Sequence, residues 1–116
     1  MKDDMNEKER FKVVYLQDAV DFLESISEEA RKKLMYAISV SKYIIDVERF
    51  KKLKNREIWE FRARVGSVRY RILAFWDKDN ETLVVATHGF IKKTPKTPES
   101  EISKAERMMK EYFKNK

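Results

Sequence analysis

Four arginines, Arg62, Arg64, Arg69 and Arg71, sit at alternate positions on either side of Gly66-Ser67. Side chains alternate between faces of a strand, so this spacing puts all four on one face of a two-stranded ribbon. Guanidinium forks match phosphate oxygens and hold their charge at any usable pH. In RNA cleavage they also stabilise the extra negative charge of a pentavalent transition state. Like charges directly opposite one another repel, and Glu60 is the only acidic residue on that face. A purely structural role for the arginines therefore lacks partners. Lys92, Lys93 and Lys96 follow the last apolar run and extend the basic surface. A lysine among positive neighbours loses its proton more readily, which suits proton transfer, a task arginine performs poorly. His88 is the only histidine; it is either a satisfied core residue or a proton carrier near neutrality. Phe90 is either core or a surface on which a base stacks. Lys51, Lys52 and Lys54 read as tethers to a polyanion rather than as catalysts.

Charge and composition narrow the classes. Between Arg49 and Arg71 there are nine basic and two acidic residues, an excess larger than the +6 of the whole chain. Such a patch attracts nucleic acid. With no Cys and one His, the chain offers no thiolate chemistry, no cysteine zinc site and no multi-histidine metal site, so neither metal nor cofactor is expected. No apolar run approaches the ~20 residues that span a membrane, and Met1–Arg10 is too polar for a signal peptide; a cytoplasmic protein is expected. The 116 residues, with only two Gly and two Pro, suit one domain over 1–116.

The elements that must position these groups follow from periodicity. Phe11, Val13 and Tyr15 alternate as in a short strand. Asp18 reads as the cap of a first helix and Ser27 as the cap of a second, with Glu28 and Glu29 in its first turn and Leu34, Ala37, Ile38 and Ser41 at helical spacing. Residues 44–54 read as a basic connection anchored by Phe50 and Leu53. Gly66-Ser67 suits a two-residue hairpin turn, pairing Val65 with Val68, Arg64 with Arg69, Arg62 with Arg71 and Glu60 with Leu73. The opposite face then carries Trp59, Phe61, Ala63, Val65, Val68, Tyr70, Ile72, Ala74 and Trp76, and must cover the helix pair. Residues 83–90 read as a buried strand and 91–96 as a basic segment. Thr97 reads as the cap of a last helix with Pro98 in its first position. The apolar stripe of that helix, Ile102, Ala105, Met109 and Tyr112, has a docking site in Leu73 and Phe75. The expected fold is α+β, in the order β-α-α-β-β-β-α, with a twisted antiparallel sheet packed on the helix hairpin.

The pieces Lys52-Leu-Lys54, Ile58-Trp-Glu-Phe-Arg62, Tyr70-Arg-Ile72, Thr87-His-Gly-Phe90, Lys92-Lys-Thr-Pro-Lys-Thr-Pro98 and Glu101-Ile…Ala105 occur in that order. Together they resemble the HigB-like, phage-derived branch of the RelE/ParE toxin superfamily, over nearly the whole chain. The resemblance implies a RelE-like fold and ribosome-dependent, metal-independent cleavage of mRNA. It also implies neutralisation by a cognate antitoxin, typically a helix-turn-helix DNA-binding protein. Arg62 and Arg64 fall where RelE has basic strand residues, Arg71 matches its next-strand arginine, and Lys92 and Lys93 lie near its late basic pair. Two departures stand out: the strand residues here are arginines, and the late catalytic tyrosine has no clear counterpart. The general base is left among Lys93, Lys92 and His88. Two other readings share the fold: a ParE-like gyrase poison and a non-catalytic RNA-binding module.

Overall fold

The computed structural model describes residues 8–116. In chain order the elements are β1 (Lys12–Tyr15), α1 (Gln17–Ser25), α2 (Glu28–Ser41), β2 (Phe50–Lys52), β3 (Trp59–Val65), β4 (Val68–Trp76), β5 (Leu83–Lys92) and α3 (Glu99–Lys114). The strands form one sheet in the order β1-β5-β4-β3-β2. The chain is α+β, as expected, but two features depart from the expected order. A short extra strand, β2, occupies the segment read as a connection. It pairs antiparallel with β3, Phe50 opposite Phe61, and the two rings stack 4.1 Å apart. Three residues are too few to show alternation in the sequence. The sheet is also mixed rather than antiparallel, because β1 runs parallel to β5. These strands are far apart in the chain, so no tight turn constrains their direction.

The helix pair α1–α2 covers one face. Ala30, Leu34, Ala37, Ile38 and Ser41 form the inward stripe of α2, and the Ser27 hydroxyl accepts the Ala30 N–H at 3.1 Å, as expected of the cap. Asp18 is not a cap: α1 starts one residue earlier, after Leu16, and Asp18 lies in the first turn, 3.4 Å from Lys104. The core on this face joins Phe11, Leu34, Ile38, Phe50, Phe61, Tyr70, Ile72 and Val84. On the other face α3 docks Ile102 and Ala105 onto Ile58, Leu73, Phe75 and Val85. Thr97 does not cap α3. Pro98, in an extended conformation, holds the cap position without a side-chain bond, and the Thr97 hydroxyl instead donates to the Glu60 carboxylate, a charged and therefore stronger acceptor.

The β3–β4 hairpin has the expected register, including Arg62 opposite Arg71 and Arg64 opposite Arg69. Gly66, at φ +60°, opens the turn, the conformation glycine adopts at least cost. Between β4 and β5 the register slips: Leu73 faces His88, yet Ala74 faces Ala86. Thr87 is the extra residue of a β-bulge, and its hydroxyl donates to the Leu73 carbonyl at 3.1 Å. A bulge inverts alternation beyond it. Val84 and Ala86 face the helix pair, so unbroken alternation would send His88 and Lys92 the same way. The bulge turns His88, Phe90 and Lys92 to the arginine face instead. It leaves Gly89 beneath Phe22 of α1, where a Cβ would lie 2.1 Å from the ring.

Candidate functional site

The sheet face on which α3 docks carries, from its open end toward the helix, three cross-strand rows. Arg64, Arg69 and Lys92 form the outermost, then Arg62, Arg71 and Phe90, then Lys51, Glu60, Leu73 and His88. Lys92 thus belongs to β5 and not to the basic segment after it. Arg62, Arg64, Arg69 and Arg71, with Glu48 and Ala63, line an open groove of about 300 Å³. A larger hollow of about 660 Å³ lies beside the far half of α3, lined by residues such as Glu57, Trp76, Glu106 and Phe113. It gathers no set of like charges and lies away from the arginines.

Glu60, 2% exposed, sits at the floor of the groove. Its Oε1 is 3.4 Å from the Nε of both Arg62 and Arg71, and its Oε2 accepts from Thr97. The Nη1 of Arg62 donates to the Val47 carbonyl at 3.3 Å, and that of Arg71 to the Tyr70 carbonyl at 3.0 Å. Both Nε groups are buried and charge-paired but make no hydrogen bond. Glu60 therefore pairs with Arg62 and Arg71, Glu48 lines the groove, and with Arg64, Arg69 and Lys92 on the same face the groove keeps an excess of positive charge. Arg71 is 6% exposed; burial pushes its pKa down, the Glu60 charge opposes this, and Arg62 and Arg69 add to the fall. Arg71 is thus not simply crowded by like charges, as the spacing suggests, but ion-paired to Glu60.

Lys92 is 7% exposed. Burial lowers its pKa first; Glu60 pulls it back up, and Arg71, Arg62 and Arg69 push it down again. Its proton is therefore held less tightly than that of a free lysine. Lys93 and Lys96 are exposed beyond the end of β5. Lys51 lies on the same face beside Glu60, whereas Lys52 projects from the other face, 3.9 Å from Glu57, and Lys54 is exposed in the turn before β3.

His88 is not brought into the groove. It is 2% exposed, with Nε2 3.0 Å from Glu101 of α3 and Nδ1 3.0 Å from the Thr87 hydroxyl. Burial lowers its pKa, against the Glu101 contact. A ring that carries its proton on Nε2 donates it to the Glu101 carboxylate, and the single Thr87 hydroxyl proton is shared between Nδ1 and the Leu73 carbonyl. Its ring stands 6.3 Å from that of Phe90, and Phe90 packs half-buried on the α3 core. The roles of Thr97 and Glu101 have no local sequence signal, because both depend on where α3 lands. The helical carboxylates Glu99 and Glu106 are likewise engaged, both with Arg56.

A mixed five-stranded sheet on which guanidinium and ammonium groups outnumber the two carboxylates, Glu48 and Glu60, has the chemistry to hold phosphate oxygens. The chain belongs to the family described as Phage derived protein Gp49-like (DUF891), whose model matches residues 21–110. This is a RelE/HigB-type toxin family of toxin–antitoxin systems, generally endoribonucleases, so an antitoxin partner is implied. No curated relative matches the chain in sequence. No helix among the described residues is long and apolar enough to cross a membrane.

Proposed function

We propose that this toxin is a ribosome-dependent endoribonuclease that cuts mRNA by attack of the 2′-hydroxyl, without a metal. The observation that supports it best is the groove itself: Arg62, Arg64, Arg69, Arg71 and Lys92 on one sheet face, with Glu60 paired to Arg62 and Arg71. In this reading the arginines hold the scissile phosphate and stabilise its transition state. Lys92, in its deprotonated form, takes the 2′-hydroxyl proton, the O2′–P bond forms, and the P–O5′ bond breaks. The leaving O5′ takes a proton from water in the open groove. The products are a 2′,3′-cyclic phosphate and a 5′-hydroxyl. Lys92 replaces His88 as the favoured base because His88 faces Glu101 and not the groove. Lys51, Lys54, Lys93 and Lys96 extend the basic surface toward RNA and ribosome, with Lys52 on the opposite side of the edge strand. The antitoxin is taken to be a helix-turn-helix protein.

Purified protein mixed with programmed ribosomes, followed by mapping of the cut ends, tests this. Cleavage should leave a cyclic phosphate, stop when the scissile nucleotide is 2′-deoxy, and persist after transition metals are chelated with magnesium kept. Cutting of the 2′-deoxy substrate would overturn the mechanism. Binding without cutting would leave an RNA-binding module, and loss of DNA supercoiling in place of cleavage would leave a gyrase poison.

A further inference from the structure

We propose that Glu60 is the positioning residue of the phosphate groove. From the floor it holds Arg62 and Arg71 by their inner Nε edges, so that their outer nitrogens face the ligand, while Thr97 fixes it in place. The proposal rests on the ribonuclease reading for its substrate, but the geometry is independent of it. Oε1 stands 3.4 Å from both Nε atoms. Each Nη1 is tied back to a carbonyl, of Val47 and of Tyr70. Each Nη2 makes no hydrogen bond among the described residues, so it is the edge left to meet a phosphate. Oε2 is taken by the Thr97 hydroxyl, just before α3. With both oxygens engaged and 2% exposure, Glu60 cannot reach a substrate hydroxyl. It acts through the arginines and Lys92, and Thr97 links that arrangement to the docking of α3.

Glu60→Gln separates this from a plain structural role, because the amide keeps the volume and an acceptor for Thr97 but loses the charge. Removing a negative charge from an anion-binding groove raises affinity by electrostatics alone. Affinity for inorganic phosphate should nevertheless fall in Glu60→Gln, because the two guanidiniums lose their common anchor. On ribosome-bound mRNA, kcat should drop about 10- to 100-fold, with KM changing less. The charged groups facing Lys92 and its groove are Glu60, Arg62 and Arg64 of β3, Arg69 and Arg71 of β4, Glu48 before β2, and Lys93 and Lys96 beyond β5. Of these, Glu60 is the nearest carboxylate supporting the ammonium form. Its loss should therefore move the rising limb of kcat/KM to lower pH, and an NMR titration of the Lys92 side chain should shift the same way.

Phosphate affinity that rises, with kcat and the pH limb unchanged, would overturn the proposal and leave the ribonuclease reading standing. If the wild-type protein does not cleave, that reading fails, while phosphate affinity and the Lys92 titration still decide the part of Glu60. If Glu60→Gln does not fold, Thr97→Val decides. It keeps the charge and frees Oε2; it should lower the melting temperature modestly, as loss of one hydrogen bond to a buried charge does, and lower kcat about three- to tenfold in the folded protein. An unaltered kcat in that variant would equally overturn the proposal.

Discussion

Burial makes Glu60 and Arg71 depend on each other unequally. Arg71 has one carboxylate partner, whereas Glu60 has Arg62, Arg71 and Thr97. Arg71→Ala leaves Glu60 with two partners and removes one of several crowded cations, so it should cost about 1 kcal/mol of stability. Its effect on cleavage should be far larger, about 10²–10³ in rate, as for loss of a transition-state contact. Glu60→Ala leaves the buried Arg71 and the half-buried Arg62 without their shared counter-charge, and should cost about 3–5 kcal/mol. Urea denaturation of both variants gives the order; equal losses, or a larger loss for Arg71→Ala, would show that the pairing is not organised around Glu60.

At the scale of elements, α3 must be pinned for Thr97 and Glu101 to reach the sheet. The pin at its far end is Asp77, 1% exposed at the end of β4. Its carboxylate accepts from the Tyr112 hydroxyl at 2.7 Å and from Lys116 Nζ at 2.8 Å, and from the Asp79 N–H at 2.8 Å. Burial pushes the Asp77 pKa up, but the Lys116, Tyr112 and Asp79 bonds outweigh it and bring the pKa down to about 2, from 3.8. A folded-state pKa below the unfolded one gives stability that is fully present above the unfolded value and is lost as pH falls through the folded one. The contribution of Asp77 should therefore hold at neutral pH and fade between about 4 and about 2. Tyr112→Phe removes one donor to this charge and should cost about 1–2 kcal/mol at neutral pH, with a smaller difference from wild type near pH 2. A loss of the same size at both pH values would assign the effect to packing of the ring against Phe75 instead.

For the whole molecule, the asymmetry of charge matters more than the net +6. The basic rows occupy one side of the sheet beyond the reach of α3, and the opposite side is closed by α1 and α2. Binding of a single-stranded RNA to such a surface should release counterions, with log K falling by about 0.7 per phosphate contact for each unit of log salt concentration. Contacts through Arg62, Arg64, Arg69 and Arg71 give a slope of about −3. Arg64→Ala, at the exposed rim, should reduce that slope by about 0.7. An affinity insensitive to salt, measured by fluorescence anisotropy with a labelled oligoribonucleotide, would remove this face from the binding surface.

The hairpin was legible from the sequence alone because its causes are local: Gly66 sets the turn, and period-two alternation then commits Arg62, Arg64, Arg69 and Arg71 to one face and Phe61, Tyr70 and Ile72 to the other. The cap at Ser27 and the α3 stripe on Leu73 and Phe75 were legible for the same reason. The third strand of the site was legible as a strand, but the way its second half faces was not. Alternation counted from Val84 fails at Thr87, where a bulge stabilised by the Leu73 carbonyl reverses which face His88, Phe90 and Lys92 take. Nor does the sequence show that Thr97 bonds Glu60 rather than capping α3, that His88 meets Glu101, or that β1 joins β5 in parallel. Each of these depends on how distant segments dock, and short-range periodicity carries no information about that. Local pattern determined which residues could bind phosphate; tertiary packing decided that Lys92 stands among them and that His88 does not.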